Sequence, residues 1–246
     1  MRWYVEMGAD EAIGWEARDR LAAAASTSDP PQPLRGGRPA AATPPPGAVP
    51  AAAAGLAELE AAVRAFEGCA LKRTATNTVF ADGVAGAPLM IIGEAPGSDE
   101  DRIGRPFVGR SGQLLDRMLA TIGFSRTTNA YITNILFWRP PGNRKPTGDE
   151  IAACLPFVWQ HIALAKPRTV LLSGGTAVSA LLERREGIMR LRGRWFDLKA
   201  PGLEAPVRAL ATYHPSFLLR TPARKAEAWR DLLALEDYLT GAGGAP

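Results

Sequence analysis

Short apolar runs alternate with longer amphipathic stretches through most of the chain. Four of these runs are short enough to be buried strands, and the stretches between them carry apolar residues at helical spacing. The predicted strands are Leu89–Gly93, Tyr131–Leu136, Thr169–Ser173 and Val207–Thr212. The predicted helices are Leu56–Phe66, Ser111–Ile122, Gly148–Ala165, Thr176–Leu182 and Pro222–Leu239. This alternation predicts an α/β fold with three αβα layers around a central four-stranded parallel sheet.

The N-terminal part of the chain has a different pattern. Residues 1–25 mix apolar and acidic positions and are compatible with a short amphipathic helix. Residues 26–55 are rich in Pro, Ala and Gly, which is typical of a disordered linker. We therefore predict three parts: an N-terminal segment (1–25), a linker (26–55) and one globular domain (56–246). For residues 1–25 a frayed tail and a docking peptide for an unknown partner are both open, and we favour the tail.

Each predicted strand runs directly into a polar or glycine-rich segment. These segments read GEAPG, ITN with the following RPPGNR loop, SGG, and YHPS. Ligands of open parallel sheets bind beyond the carboxyl ends of the strands, so we expect the functional site at this edge. GEAPG alone would be compatible with a simple turn, and it is not a P-loop because no Gly-Lys-Ser/Thr follows.

Composition adds little to this picture. The 246 residues are 46% hydrophobic and carry a net charge of +4, which suits a nucleic-acid partner without requiring one. Two cysteines indicate a reducing compartment rather than a disulfide scaffold. Acidic residues interrupt the N-terminus where a signal peptide would be apolar, and no run is long enough to cross a bilayer. We expect a soluble cytoplasmic protein with no membrane partner.

Three longer stretches contain the strand-end segments GEAPG, ITN and YHPS: GEAPGSDEDRIGRPFVGRSGQLLDRML, YITNILFWRPPGNRKPTGDEIAACLPF and ATYHPSFLLR. Together they resemble the family 4 uracil-DNA glycosylases, and the likeness covers roughly residues 66–235. The resemblance implies the fold of that superfamily and a monomeric repair enzyme. Such an enzyme hydrolyses the N-glycosidic bond of deoxyuridine in single- or double-stranded DNA. Two alternatives stay open: a non-cleaving module that binds damaged DNA, and a glycosylase that accepts further deaminated bases.

The resemblance assigns roles to three residues whose chemistry suits them. Phe107, in GRPFVG, would stack on a flipped uracil, and its glycine-rich loop argues against simple core packing. The Asn134 amide would pair with O4 and N3–H of uracil, the alternative being a cap on the strand end. His214 would donate a hydrogen bond to O2 as negative charge grows on the departing base. The alternative for His214 is packing in a turn.

The remaining titratable residues carry open alternatives. Glu94 would either position the attacking water or stabilise the cationic sugar electrostatically. Glu100 resembles an acidic residue that lies near C5 of the base, the alternative being an ordinary solvated carboxylate. His161 lies in a helical pattern, and we expect a surface or packing histidine without a catalytic role.

Basic, hydroxyl and apolar residues at the same edge are expected to contact DNA. Leu218 suits insertion into the gap that a flipped base leaves, unless it belongs to the core face of a helix. Arginines and lysines in the loops would bind phosphates. The full set of predicted DNA contacts is Arg110, Ser111, Arg139, Arg144, Lys145, Ser216, Leu218 and Arg220.

Family 4 enzymes typically hold a [4Fe–4S] cluster on four cysteines, and this chain departs from that pattern. Cys69 and Cys154 match two ligand positions, while Lys72 and Trp138 stand at the other two and supply no thiolate. Either the cluster is lost, or an incomplete one survives with other ligands. We favour loss, with Trp138 filling the volume and Lys72 lying against its ring as a cation–π contact. The loop RPPGNRKPTGDE contains no histidine, so the covalent DNA capture of X-type relatives is not expected.

Overall fold

A six-stranded sheet forms the centre of the protein. The computed structural model describes residues 52–199 and 202–241, so the predicted segment 1–25 and the predicted linker up to residue 51 lie outside the described residues. The strands are β1 (Asp82–Gly83), β2 (Leu89–Gly93), β3 (Ala130–Asn134), β4 (Thr169–Ser173), β5 (Trp195–Leu198) and β6 (Val207–Thr212). They lie in the order β1-β3-β2-β4-β6-β5.

The four predicted strands form the parallel middle of this sheet. β2 pairs in parallel with β3 and β4, with Leu89 opposite Ala130 on one side and Thr169 on the other. β6 continues the parallel pairing beside β4. Every residue of β2, β3 and β4 is buried, as expected for parallel strands covered on both faces. The parallel centre is therefore confirmed.

Two antiparallel edge strands were absent from the sequence prediction. β1 has only two residues and pairs with β3, and β5 pairs with β6. Both are partly exposed, so neither shows the apolar run that marks a fully buried strand. The predicted four-stranded sheet is thus a six-stranded mixed sheet with a parallel core.

Helices cover both faces of the sheet, which confirms the three-layer αβα arrangement. One hydrophobic layer joins the sheet to α1, α4 and α5, and the other joins it to α3 and α8. The helices are α1 (Leu56–Ala65), α2 (Ser98–Ile103), α3 (Arg110–Ala120), α4 (Gly148–Ala165), α5 (Gly175–Leu182), α6 (Ile188–Leu191), α7 (Pro215–Arg220) and α8 (Lys225–Thr240). Short 3₁₀ turns lie at Ala70–Arg73, Pro141–Asn143 and Pro222–Arg224. No helix within the described ranges has the length and apolar character to cross a membrane.

Candidate active site

A cavity of about 840 Å³ opens at the carboxyl ends of the parallel strands. Its wall includes Glu94 after β2, Asn134 at the end of β3, Gly174 after β4 and His214 after β6. The loop between α2 and α3 adds Phe107. The sheet therefore brings together the residues that the sequence predicted from separate segments.

Asn134 is held at the bottom of this cavity with an unused acceptor. The residue is 2% exposed, and its side-chain Oδ1 has no hydrogen-bond partner among the described residues. A buried amide oxygen of this kind is costly unless a ligand or water pairs with it. The amide is thus available for a ligand inside the cavity. An asparagine that capped the strand end through its oxygen would have that oxygen hydrogen-bonded, which is not the case here.

Phe107 lies beside Asn134 and has an unusual backbone conformation. Its φ of 53° falls in the left-handed region, which bulky side chains rarely adopt. The ring stacks on the ring of His214 with centroids 5.3 Å apart and an angle of 29° between the planes. The residue is also buried in the hydrophobic layer that contains Leu115 and Ile132. The expectation that its loop keeps it out of the core was wrong: Phe107 belongs to the core and also lines the cavity.

Glu100 organises the loop that carries Phe107. Its Oε1 accepts the backbone N–H groups of Val108 and Gly109, both at 2.9 Å, and its Oε2 accepts that of Gly97 at 3.1 Å. The side chain is buried, so the alternative of an ordinary solvated carboxylate was wrong. Glu100 joins the GEAPG turn to the GRPFVG loop. It also lines the cavity, and its contact with a base stays a prediction.

His214 is half-buried, and its ring orientation follows from its neighbour Ser216. The backbone N–H of Ser216 donates to Nδ1 at 3.1 Å, and the Ser216 hydroxyl lies 2.8 Å from the same atom. Because Nδ1 is an acceptor, the proton of the neutral ring is on Nε2. Burial, and secondarily the charge of Arg220, lowers the pKa of His214 to about 4. The imidazole is therefore a neutral Nε2–H donor near pH 7.

Glu94 follows β2 and receives a hydrogen bond from across the cavity. The hydroxyl of Thr176 donates to Glu94 Oε2, which ties the GEAPG turn to the first turn of α5. Thr176 could not be singled out from the sequence, because a threonine at the start of a helix is common and its partner lies 82 residues away.

The predicted DNA contacts separate into two groups. Ser111, Arg144, Lys145, Ser216 and Arg220 are part of the cavity wall. Arg110 is exposed at the start of α3, outside that wall, and the guanidinium of Arg139 donates to Asn143 Oδ1 at 2.7 Å. Arg184 and Arg185, which the sequence analysis did not single out, lie in the loop after α5 and also line the cavity.

Leu218 is not available for insertion into DNA. It is 1% exposed and packs with Leu114, Tyr213 and Ala228, so the predicted DNA contact was wrong and the core alternative was right. The neighbouring Phe217 lines the cavity instead. A six-residue helix such as α7 gives too few turns for the sequence to show which residue faces inward.

His161 is a packing residue, one of the two expected environments. It is fully buried in α4, its Nε2 lies 2.9 Å from the Tyr131 hydroxyl, and its ring stacks on Phe80. Burial lowers its pKa to about 3. It lies outside the cavity wall.

The region of the two cysteines is an aromatic core. Cys69, Cys154 and Trp138 are buried in one hydrophobic layer. The interaction between the two neighbouring thiols lowers the pKa of Cys69 to about 7 and, with burial, raises the pKa of Cys154. Trp138 stacks on Phe66 with centroids 6.4 Å apart, and its indole N–H donates to Thr78.

The donor set in this region does not fit a [4Fe–4S] cluster. Such a cluster needs four thiolates, and the chain has two cysteines in total. Within residues 52–199 and 202–241 no group of three or more His, Cys, Asp and Glu side chains is arranged to hold a metal ion. The Lys72 ammonium donates to the carbonyl of Arg64 and to Glu67, at 2.6 and 2.5 Å. The predicted cation–π contact with Trp138 was therefore wrong, and Phe66 is the ring that Trp138 stacks on.

Comparison with known proteins agrees with this fold. A sequence model of the uracil DNA glycosylase superfamily matches residues 80–233, which include all four strand ends that line the cavity. A type-4 uracil-DNA glycosylase of Pyrobaculum aerophilum is 38% identical over 181 residues, covering 72% of this chain and 91% of that protein. Type-4 enzymes of Thermotoga maritima and Archaeoglobus fulgidus are 37% and 36% identical, covering 62% and 65% of this chain and 77% and 80% of those proteins.

The chain therefore belongs to the uracil DNA glycosylase superfamily and, within it, to the type-4 uracil-DNA glycosylases.

Proposed function

We propose that this protein excises uracil from DNA. It hydrolyses the N-glycosidic bond of deoxyuridine, releases free uracil and leaves an abasic site, which begins base-excision repair. The observation that carries the proposal is the unpartnered Oδ1 of Asn134, buried in the cavity beside the ring of Phe107 and the Nε2–H donor of His214. The family membership supports the same reaction.

Recognition depends on the Asn134 amide. Its Oδ1 accepts the N3–H of uracil, and its amide N–H donates to O4. Cytosine presents the opposite pattern at these positions, so its entry would leave buried polar groups unpaired. Phe107 stacks on the base that has been flipped out of the helix.

Departure of the base depends on His214. As the glycosidic bond breaks, negative charge grows on uracil, and a donor aimed at O2 stabilises it. A neutral imidazole serves this role without carrying a charge of its own into the buried site.

Glu94 acts on the sugar side of the bond. A carboxylate here both orients the attacking water and stabilises the positive charge that develops on the sugar. The hydrogen bond from Thr176 fixes the direction of the carboxylate.

The cavity rim supplies the contacts to the DNA backbone. The basic residues in the wall are Arg144, Lys145, Arg184, Arg185 and Arg220. Arg144 and Arg184 form ion pairs with Glu150 and Glu186. The positive charge of the other three suits phosphate groups on either side of the flipped nucleotide, and it makes affinity fall as salt rises. We propose that the enzyme works as a monomer, because the groups assigned to uracil all come from one chain. We also propose that it acts in the cytoplasm, as the DNA-repair family suggests.

We also propose that the [4Fe–4S] cluster typical of the family has been replaced by the aromatic core around Trp138. Two buried cysteines and the stacked pair of Phe66 and Trp138 support the replacement. Protein purified without oxygen is expected to be colourless and to contain no stoichiometric iron. A brown protein with iron in proportion to protein would overturn the proposal.

One experiment tests the reaction. Labelled single- and double-stranded oligonucleotides containing uracil or hypoxanthine are incubated with the protein and then cleaved with alkali at abasic sites. We expect scission at uracil. Scission at hypoxanthine as well would indicate a broader glycosylase, and no scission on any substrate would leave only a DNA-binding module.

A further inference from the structure

Arg126 holds the backbone of the loop that carries Phe107. Its Nη1 donates to the carbonyl of Pro106 at 3.0 Å, and its Nη2 donates to the carbonyl of Phe107 at 2.7 Å. Two consecutive carbonyls are therefore bound by one guanidinium. This is a geometry that a planar fork of donors provides and a single ammonium does not.

The guanidinium is itself fixed by two carboxylates. Nη1 also donates to Asp82 at 2.7 Å, and Nε donates to Asp116 at 2.9 Å. The Arg126 side chain is only 11% exposed and that of Asp82 15%, so this ion pair is largely shielded from solvent, whereas Asp116 is 46% exposed. Asp82 lies in strand β1 and Asp116 in helix α3, which means that Arg126 connects the loop to two framework elements.

Phe107 needs such support because its conformation is strained. A φ of 53° places an aromatic residue in the left-handed region, which side chains other than glycine rarely adopt. The Phe107 carbonyl also lies against Gly112, where a Cβ would be 1.8 Å from the oxygen. On the other side of Phe107, Glu100 binds the N–H groups of Val108 and Gly109. The peptide group after Phe107 is thus held at both ends, its carbonyl by Arg126 and its N–H by Glu100, and the carbonyl before Phe107 is also held by Arg126.

We propose that Arg126 is a positioning residue that fixes the orientation of the Phe107 ring before uracil enters the cavity. Arg126 is not part of the cavity wall and acts through Phe107 alone. This proposal rests on the proposed function, because it concerns the ring on which the flipped base would stack.

The test is a double-mutant cycle on the binding of free uracil and on turnover. The variants are Arg126→Gln, Phe107→Leu and their combination, and the matched control is Arg105→Gln. Arg105 also binds Asp82, at 2.8 Å, but no hydrogen bond joins it to the carbonyl of Pro106 or of Phe107. Inhibition by free uracil reports stacking without the DNA contacts, and kcat and KM on uracil-containing DNA report turnover.

If Arg126 acts through Phe107, each single variant raises the inhibition constant of uracil about tenfold, the size expected for one stacking contact. The inhibition constant of the double variant is no higher than that of the single variant with the higher constant, because the two substitutions remove the same interaction. In Arg126→Gln, kcat falls while KM for DNA stays near the wild-type value, and Arg105→Gln behaves as wild type. Additive effects in the double variant, or unchanged uracil inhibition in Arg126→Gln, would overturn the proposal.

A second variant distinguishes a local effect on Phe107 from an effect of unfolding. Arg126→Lys keeps a positive charge between Asp82 and Asp116 but cannot bind both carbonyls as a fork. We expect a near-normal unfolding midpoint and weakened uracil inhibition, and unchanged inhibition would contradict the proposal. If the wild-type protein bound free uracil but released none from DNA, the proposed function would fail. Calorimetric uracil binding would then still measure the effect of Arg126 on Phe107.

Discussion

The Cα of Gly93 lies directly against the side chain of Asn134. A Cβ at position 93 would come within 2.4 Å of Asn134 Oδ1 and equally close to Cζ of Phe107. The end of β2 must therefore lack a side chain for the amide and the ring to meet in the cavity.

Gly93→Ala is expected to displace both side chains from the base. A misplacement of about 1 Å in an active site can cost about 100-fold in rate, so kcat/KM on uracil-containing DNA should fall at least about tenfold. Steady-state kinetics measure the loss. Gly148→Ala is the control, because nothing lies within 4 Å of a Cβ there, and equal activity of the two variants would contradict the close contact.

Asn134→Ala removes the amide that is proposed to recognise uracil. Sites built to hydrogen-bond a substrate group commonly lose about 100-fold or more in rate when that pairing is lost, so the excision rate should fall by at least that factor. Single-turnover assays give the rate, and binding to DNA with an abasic site should change little because the phosphate contacts remain. Asn143→Gly is a suitable control at the rim, since Asn143 has a φ of 54° that glycine tolerates. An Asn134→Ala variant that excises uracil at a normal rate would refute the recognition role.

His214→Ala should lower the excision rate by roughly 10²–10³-fold, the usual effect of removing one donor to a developing negative charge. Because the pKa of His214 is lowered to about 4, the wild-type rate should show no inflection from this group between pH 6 and 8. Arg220 contributes to that lowering, so Arg220→Gln should raise the His214 pKa, as followed by NMR titration. An inflection near pH 6.5 in the wild-type enzyme would contradict the neutral-donor assignment.

Acid should destabilise the protein through its buried histidines. The pKa of His161 is lowered to about 3 by burial, so the unfolded chain binds a proton below pH 6.5 while the folded protein does not. The free energy of unfolding therefore decreases as pH falls from 6.5 towards 3, by up to about 1.4 kcal/mol per pH unit for each such histidine. Urea unfolding of wild type and His161→Gln between pH 7 and 4 measures this. The free energy of unfolding of His161→Gln should depend less steeply on pH than that of the wild type. Parallel pH curves for the two proteins would refute the prediction.

Trp138→Ala should destabilise the core where the cysteines lie. Truncation of a buried tryptophan costs about 3–5 kcal/mol, because it leaves a cavity and removes the contacts with Phe66 and Phe137. Trp229→Ala is the matched control, since Trp229 is 42% exposed. Similar unfolding midpoints for the two variants would show that Trp138 does not support the core.

The sequence predicted the parts of the fold that depend on local pattern. Buried parallel strands produce apolar runs, so β2, β4 and β6 were located with the bounds that the structure has. The β3 prediction ran two residues too far, because the buried Ile135 and Leu136 continue the apolar run beyond Asn134. Candidate residues directly after these strands could be singled out for the same reason, and the structure places them in one cavity.

Features that depend on long-range contacts could not be predicted in this way. The hydroxyl of Thr176 and the guanidinium of Arg126 have ordinary sequence surroundings, and only the folded chain brings them to Glu94 and Phe107. Lys72 was assigned to Trp138 by position in the family pattern. Its actual partner Glu67 lies five residues away, and a nearby exposed carboxylate is an easier partner for an ammonium than a buried ring.

The left-handed conformation of Phe107 affects how quickly the protein can search along DNA. Because Arg126 and Glu100 hold the peptide groups around it, the conformational cost of presenting the ring is met once, when the chain folds. Each undamaged nucleotide that the enzyme samples then meets a Phe107 ring that is already in position. A search along DNA can therefore be rapid, because the loop does not have to rearrange for each nucleotide.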